Sequence, residues 1–165
     1  MFILSLPSKK VYDTLHHDLQ LTIDTLLEVS PIDFVLVEGY RDTKTQFEYY
    51  TIGRKFSTTT LKWEVEDENK IITNTDGINI KSYHNHSPSL AVDIRVYIPN
   101  RPDLAYDAQH LILIAGFFLM SALQLRKQGK ITSEIVWGGN WDGDGMIIYD
   151  HKLIDLPHFQ IKTNG

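Results

Sequence analysis

His84, Asp93 and His158 are residues whose types could do chemistry together. Imidazole and carboxylate are the ligands a zinc ion takes where no thiolate is offered. Two imidazoles and one carboxylate leave a tetrahedral ion one open position, where a reactive water sits. His84 and Asp93 lie in the run Ser82-Tyr83-His84-Asn85-His86-Ser87-Pro88-Ser89-Leu90-Ala91-Val92-Asp93, and His158 in Asp155-Leu156-Pro157-His158-Phe159-Gln160. Asp155, three residues before His158, is close enough to serve as a base. The chemistry implied is metal-dependent hydrolysis. Spacing alone does not separate such a site from coincidence, because its members come from distant segments.

His86 also has carboxylates at meaningful spacings nearby and stays a candidate beside His84, whereas His16, His17, His110 and His151 read as ordinary surface or core residues. A second candidate site is the loop Asn140-Trp141-Asp142-Gly143-Asp144-Gly145. It matches the opening of a calcium loop, with oxygen ligands Asn140, Asp142 and Asp144 at positions one, three and five and glycine at six. Position twelve would be His151 where a bidentate Glu is expected, and Asp150 comes one residue early. The plainer reading is an Asp/Gly turn held by its own side-chain hydrogen bonds.

Several elements must position these residues. Leu15, Leu19, Ile23 and Leu26 recur at helical steps and predict a first amphipathic helix ending before Pro31. Phe34 to Val37 reads as a buried strand, and a second helix from about Thr43 should stop at Gly53. Residues 54–81 are polar and predict a functional loop or small hairpins. In the next strand Leu90, Val92, Ile94, Val96 and Ile98 take one face, and Ala91, Asp93, Arg95 and Tyr97 the other. Asp93 would then project opposite the aliphatic core, from an element that holds side chains tightly. A helix from about Leu104 to Gln128, apolar all round in its middle, predicts a central buried helix ended by Gly129. Strands are expected at Glu134–Trp137 and His158–Ile161. The pattern predicts one α+β domain over residues 1–165, a small, mostly antiparallel sheet packed with helices.

Composition narrows the function. The chain has 165 residues, 42% of them hydrophobic, enough for one domain that buries roughly 70% of its unfolded surface. It has no cysteine, so disulfides and thiolate metal sites are excluded. A net charge of -5 gives no electrostatic reason to approach nucleic acid or an anionic membrane. The amino terminus places Lys9 and Lys10 after a short apolar run, the reverse of a secretory signal. The apolar run Leu111 to Met120 is too short to span a bilayer. The expectation is a monomer made in the cytoplasm, with no membrane or nucleic-acid partner.

Five segments occur together in order: Glu38-Gly39-Tyr40-Arg41, Ser82-Tyr83-His84-Asn85, Pro88-Ser89-Leu90-Ala91-Val92-Asp93, Trp137-Gly138-Gly139-Asn140-Trp141-Asp142-Gly143-Asp144-Gly145 and Asp155-Leu156-Pro157-His158-Phe159. In this the chain resembles the zinc D-alanyl-D-alanine carboxypeptidase and L-alanyl-D-glutamate endopeptidase family, in particular its phage endolysins. Leu15-His16-His17-Asp18-Leu19 is similar to the family's His-Pro-Asp-Leu stretch, with His17 in place of proline. The resemblance implies Zn²⁺ held by His84, Asp93 and His158, with Asp155 as catalytic carboxylate and Arg41 stabilising the transition state. The commoner family spacing from first His to Asp is seven, which His86 satisfies. His84 carries the Ser-x-His-Asn context, and Pro88-Ser89 resembles a variant with a longer turn, so His84 is preferred and His86 is the alternative first ligand. The plain reading of Arg41 is a surface salt bridge with Asp42 or Glu38. Some endolysins of that family are regulated by calcium at such a loop, so the resemblance extends to Ca²⁺ at Asn140, Asp142 and Asp144.

The resemblance implies a peptidoglycan peptidase that cuts the stem peptide, most readily between L-alanine and D-glutamate, and that acts on the wall after release from the host cytoplasm. A D-alanyl-D-alanine carboxypeptidase is the alternative within the class, and a non-catalytic wall-binding or structural protein on the same fold the alternative outside it. The string His84-Asn85-His86 is no nuclease signature, because HNH motifs disperse those letters and the acidic charge opposes DNA.

Overall fold

A computed structural model describes residues 1–147 and 153–163. Four helices and six strands follow in the order α1 (Leu6–Tyr12), α2 (His17–Val29), β1 (Asp33–Glu38), α3 (Thr43–Thr51), β2 (Arg54–Ser57), β3 (Lys62–Val65), β4 (Ala91–Tyr97), α4 (Ala108–Lys127), β5 (Ile135–Trp137) and β6 (His158–Ile161). β1, β4, β6 and β5 form one antiparallel sheet in that spatial order, and β2 and β3 form a separate hairpin. The architecture is the expected α+β arrangement.

Alternation along β4 sorts the sheet into two faces. Val92, Ile94 and Val96 are buried, whereas Asp93 and Arg95 are only half-buried on the other side. The buried side chains meet Phe34 and Leu36 of β1, Leu19, Ile23 and Leu26 of α2, and Leu111, Ile114 and Phe118 of α4 in one core. Phe118 stacks on Phe159 of β6 with ring centroids 4.1 Å apart, fixing α4 against the sheet centre. Fully burying a side chain of this kind contributes about 1.5–3 kcal/mol.

The structure departs from the sequence expectations in two helices. α1 was not expected; Ser5 caps it and Pro7 sits in its first turn, both ordinary helix-start chemistry. α4 begins only at Ala108, capped by Asp107, because Pro102–Leu104 forms a separate 3₁₀ turn. Nor is α4 buried all round. Leu113, Met120 and Leu123 face outward at 43%, 54% and 43% exposure. By length and composition this 20-residue helix could cross a membrane, but its inner face packs on α2 and the sheet.

A cross-strand row on the other face matters most for function. Glu38, Asp93 and His158 are register partners across β1, β4 and β6. The register slips between Leu36 and Glu38, a bulge that makes Val37 the extra residue and brings Glu38 opposite Asp93. Without that slip Val37 would occupy Glu38's place in the row. Residues 54–81 begin with the hairpin, entered through Gly53 at φ +75°, a left-handed conformation open to glycine at little cost. Beyond the hairpin, residues Ile71–Thr75 line one cleft with Asp93 and His158.

Candidate metal centre and its cleft

His84 belongs to a short 3₁₀ turn, Tyr83–Asn85, that begins with a reciprocal cap. Ser82 Oγ accepts from the His84 N–H at 3.3 Å, and Asn85 Oδ1 accepts from the Ser82 N–H at 2.9 Å. The same carboxamide donates through Nδ2 to the Arg41 carbonyl at 2.8 Å, and the Arg41 N–H donates to the His84 carbonyl at 2.9 Å. The Ser-x-His-Asn string therefore stitches the His84 turn to the segment that carries Arg41. This is the local reason for that residue pattern.

Three donor atoms converge at the centre. His84 Nε2 lies 3.2 Å from His158 Nδ1 and 3.4 Å from Asp93 Oδ1, and His158 Nδ1 lies 2.9 Å from the same oxygen. The opposite ring nitrogens are both engaged. His84 Nδ1 is 2.7 Å from the Gly39 carbonyl, which can only accept, so the proton sits on Nδ1. His158 Nε2 lies 2.9 Å from Gln160 Oε1, to which it donates when it carries the proton. Without a metal, a proton on His158 or His84 bridges to Asp93 Oδ1; with both rings neutral in these tautomers, two buried lone pairs and a carboxylate oxygen face one another. A cation meets that demand, and the donors lie within 4.8 Å of one another, as metal ligands must. Among the described residues no other group of three His or carboxylate donors converges in this way.

The neighbouring charges are arranged around that point. Burial would raise the pKa of Asp93, but hydrogen bonds to His158 and His84 and the charge of those imidazoles when protonated hold it well below the usual carboxylate range. Asp155 goes the other way. Burial and the charge of Asp93 raise it, only partly offset by His158, His84 and Arg41. A divalent cation at the centre would pull Asp155 back down.

Asp155 is fixed through backbone contacts. Its N–H donates to the Gly138 carbonyl at 2.9 Å, its carbonyl accepts from the His158 N–H at 3.1 Å, and the Gly138 N–H donates to the His158 carbonyl at 2.9 Å. A Cβ on Gly138 would collide with the Asp155 carbonyl, so the Trp-Gly-Gly segment is glycine where Asp155 approaches.

Arg41 occupies the cleft, with its side chain 9% exposed. Glu38 takes Nε at 2.8 Å and also Nη2, Gln46 Oε1 takes Nη1 at 2.8 Å, and the Tyr49 ring lies under the guanidinium with its centroid 4.7 Å away. The Glu38 partner expected of a surface ion pair is thus present, but in the cleft and as a two-point clamp. Asp42 instead caps α3, accepting from the Thr45 N–H at 2.7 Å. Of the guanidinium's five hydrogens, one on each terminal nitrogen remains, and Nη2 lies 3.8 Å from Asp93 Oδ2.

These groups line a cleft of about 770 Å³. His84, Asp93 and His158 lie in it, and Arg41, Asp155, Trp141 and the segment Ile71–Thr75 contribute to its walls. Trp141 packs on the His158 ring at 5.5 Å and donates from its indole to the Leu153 carbonyl at 2.8 Å. Gln160, Trp141, Gln46 and the Gly39 carbonyl were not singled out from sequence. Only Gln160 left a legible signal, two residues along the strand from His158 and so on the same face.

The other candidates lie elsewhere. His86 caps the end of the 3₁₀ turn, with its ring 6.3 Å from that of Tyr83, and is not one of the three converging donors. Asn140 Oδ1 accepts from Gly143 N–H at 3.1 Å, Asp142 Oδ1 from Asp144 N–H at 3.2 Å and Asp144 Oδ1 from Met146 N–H at 2.7 Å. That is turn chemistry, and nothing in these contacts supports calcium. Asp150 and His151 lie outside the described residues.

A family model described as phage L-alanyl-D-glutamate peptidase matches residues 1–162. Among solved structures the fold is similar to that of a Serratia marcescens L-Ala D-Glu endopeptidase, ChiX. The TM-score is 0.59 at 23% identity, over 96% of this chain and 89% of that one. No curated protein sequence matches the chain.

Proposed function

The chain belongs to the phage L-alanyl-D-glutamate peptidase family, and from that premise we propose that it is a zinc endopeptidase cutting the peptidoglycan stem peptide between L-alanine and D-glutamate. The observation that carries the reading is the convergence of His84 Nε2, Asp93 Oδ1 and His158 Nδ1 beside Asp155 and Arg41 in one cleft. The family's specificity favours this bond over the D-alanyl-D-alanine bond of the alternative reading.

Two neutral imidazoles and a carboxylate are the ligand set of catalytic zinc sites. When bound, Zn²⁺ supplies Lewis acidity and brings the pKa of water from 15.7 to roughly 7. The remaining work falls to the chain. Asp155 accepts the proton of the attacking water and returns it to the departing amine, a transfer worth roughly 10²–10⁴ in rate. Arg41, held by Glu38 and Gln46, presents its remaining N–H groups where negative charge develops on the scissile carbonyl. The Ile71–Thr75 segment and Trp141 both contribute walls for the peptide. The substrate places the action at the bacterial cell wall.

The test is mass spectrometry of purified peptidoglycan after digestion by the zinc-loaded protein. Glycan-linked L-alanine and stem fragments beginning at D-glutamate are expected. Unchanged muropeptides with zinc bound would overturn the lytic reading, and loss of terminal D-alanine alone would indicate the carboxypeptidase.

A further inference from the structure

Gln46 has no exposed surface, although its side chain is polar at both ends. Its Oε1 accepts from Arg41 Nη1 at 2.8 Å. Its Nε2 lies 2.8 Å from the Thr75 carbonyl, 3.1 Å from Thr73 Oγ1 and 3.2 Å from Thr75 Oγ1. The amide orientation is unambiguous, because a guanidinium only donates and a carbonyl only accepts. Gly77 packs against the stem of this side chain, where a Cβ would come within 2.8 Å of Gln46 Cγ. Arg54 holds the same segment from the other side through the Thr73 carbonyl at 3.0 Å.

Thr73 and Thr75 belong to a wall of the cleft, and Arg41 lines the same cleft. One buried amide therefore joins the wall to the guanidinium. A side chain able to donate and accept is required there. An aliphatic residue of similar length would leave the Thr75 carbonyl and one Arg41 hydrogen unpaired in a dry site. A glutamate would keep the Arg41 contact but set a carboxylate oxygen against the Thr75 carbonyl.

We propose that Gln46 is a positioning residue that holds Arg41 and the Thr73–Thr75 wall in register, so that peptide binding and oxyanion stabilisation share one support. The proposal rests on the role given to Arg41 above. Gln46 touches no reacting atom and acts through Arg41 in kcat and through the wall in KM.

The experiment is a mutant cycle on the zinc-loaded full chain with an L-alanyl-D-glutamyl stem peptide. It uses Gln46→Met, Arg41→Ala, the double variant and Gln46→Glu, with zinc content and circular dichroism recorded for each. Gln46→Met should keep its zinc, raise KM and lower kcat roughly 10–100-fold, the usual consequence of a misplaced catalytic group. In the Arg41→Ala background it should lower kcat by less than about twofold, because its route to the chemistry is already gone. Gln46→Glu should recover about tenfold of the kcat lost in Gln46→Met while KM stays high.

Effects of Gln46→Met and Arg41→Ala on kcat that multiply would overturn the proposal, as would a Gln46→Glu variant no better in kcat than Gln46→Met. If Gln46→Met fails to fold, Gln46→Glu against wild type decides. A raised KM with kcat largely kept upholds the proposal, and a proportionate loss of kcat overturns it. Arg41→Ala with full kcat would instead refute the role of Arg41 itself, an outcome read from that variant alone.

Discussion

His84 and His158 meet through unlike nitrogens, Nε2 of the first lying 3.2 Å from Nδ1 of the second. The asymmetry has a cause at each ring. The Gly39 carbonyl claims Nδ1 of His84, and the Gln160 carboxamide claims Nε2 of His158. The Gly39 carbonyl, which only accepts, fixes the His84 tautomer, and Gln160 Oε1 favours a proton on the outer nitrogen of His158, so that each inward nitrogen can bind a cation.

Gln160→Leu therefore should weaken zinc binding by roughly 10–100-fold without removing a ligand, because His158 loses the contact that orients its ring. Competition with a chelator of known affinity measures this. Unchanged zinc affinity would mean that the Gln160 contact has no part in the site.

In the proposed reaction Asp155 moves a proton rather than holding the ion, a role that fits its absence from the converging donors His84, Asp93 and His158. Asp155→Ala should keep zinc and fold while turnover falls by roughly 10²–10⁴. Zinc lost from a folded Asp155→Ala protein would make Asp155 a ligand.

Much of this site was legible in the sequence, and the reason is local. The alternation from Leu90 to Ile98 put Asp93 on the side away from the core, and β4 carries it there with Val92, Ile94 and Val96 buried behind. The pattern over His158–Ile161 predicts a strand, and β6 has those bounds. What stayed hidden depends on register. Periodicity gives the face a residue takes but not its cross-strand neighbour. The row Glu38, Asp93, His158 therefore required the bulge at Val37, which no local pattern marks. Gln46 was invisible for a related reason, because its partners Thr73 and Thr75 lie 27 and 29 residues on, beyond the hairpin. α4 misled because apolar residues all round a helix suggest full burial, while a folded surface tolerates Leu113, Met120 and Leu123 outside.

Asp18 provides a pH-dependent test of the fold apart from the site. It is buried at the start of α2, and its Oδ2 accepts from Ser133 N–H at 2.9 Å and Thr132 N–H at 3.2 Å. Burial raises its pKa, but the hydrogen bonds from Ser133 and Thr132 outweigh this and hold it below the ordinary 3.8. A depressed folded pKa stabilises the protein above the unfolded value, and that stability is lost as pH falls through the folded value. Asp18→Asn should thus cost about 1.5–3 kcal/mol at pH 6, the worth of hydrogen bonds to a charged group, and progressively less below pH 3.8. Denaturant unfolding of both proteins across that range checks it. A cost that does not shrink with acid would show that the charge of Asp18 contributes nothing.

The proposed metal seat is formed by His84, Asp93 and His158, and zinc stoichiometry is its decisive test. Purified wild-type protein, His84→Ala and His86→Ala would be dialysed against the same zinc buffer and analysed by inductively coupled plasma mass spectrometry, with circular dichroism confirming the fold of each. Wild type and His86→Ala should retain about one zinc per chain, and His84→Ala should retain little. Zinc kept by a folded His84→Ala protein and lost from His86→Ala would contradict the assignment.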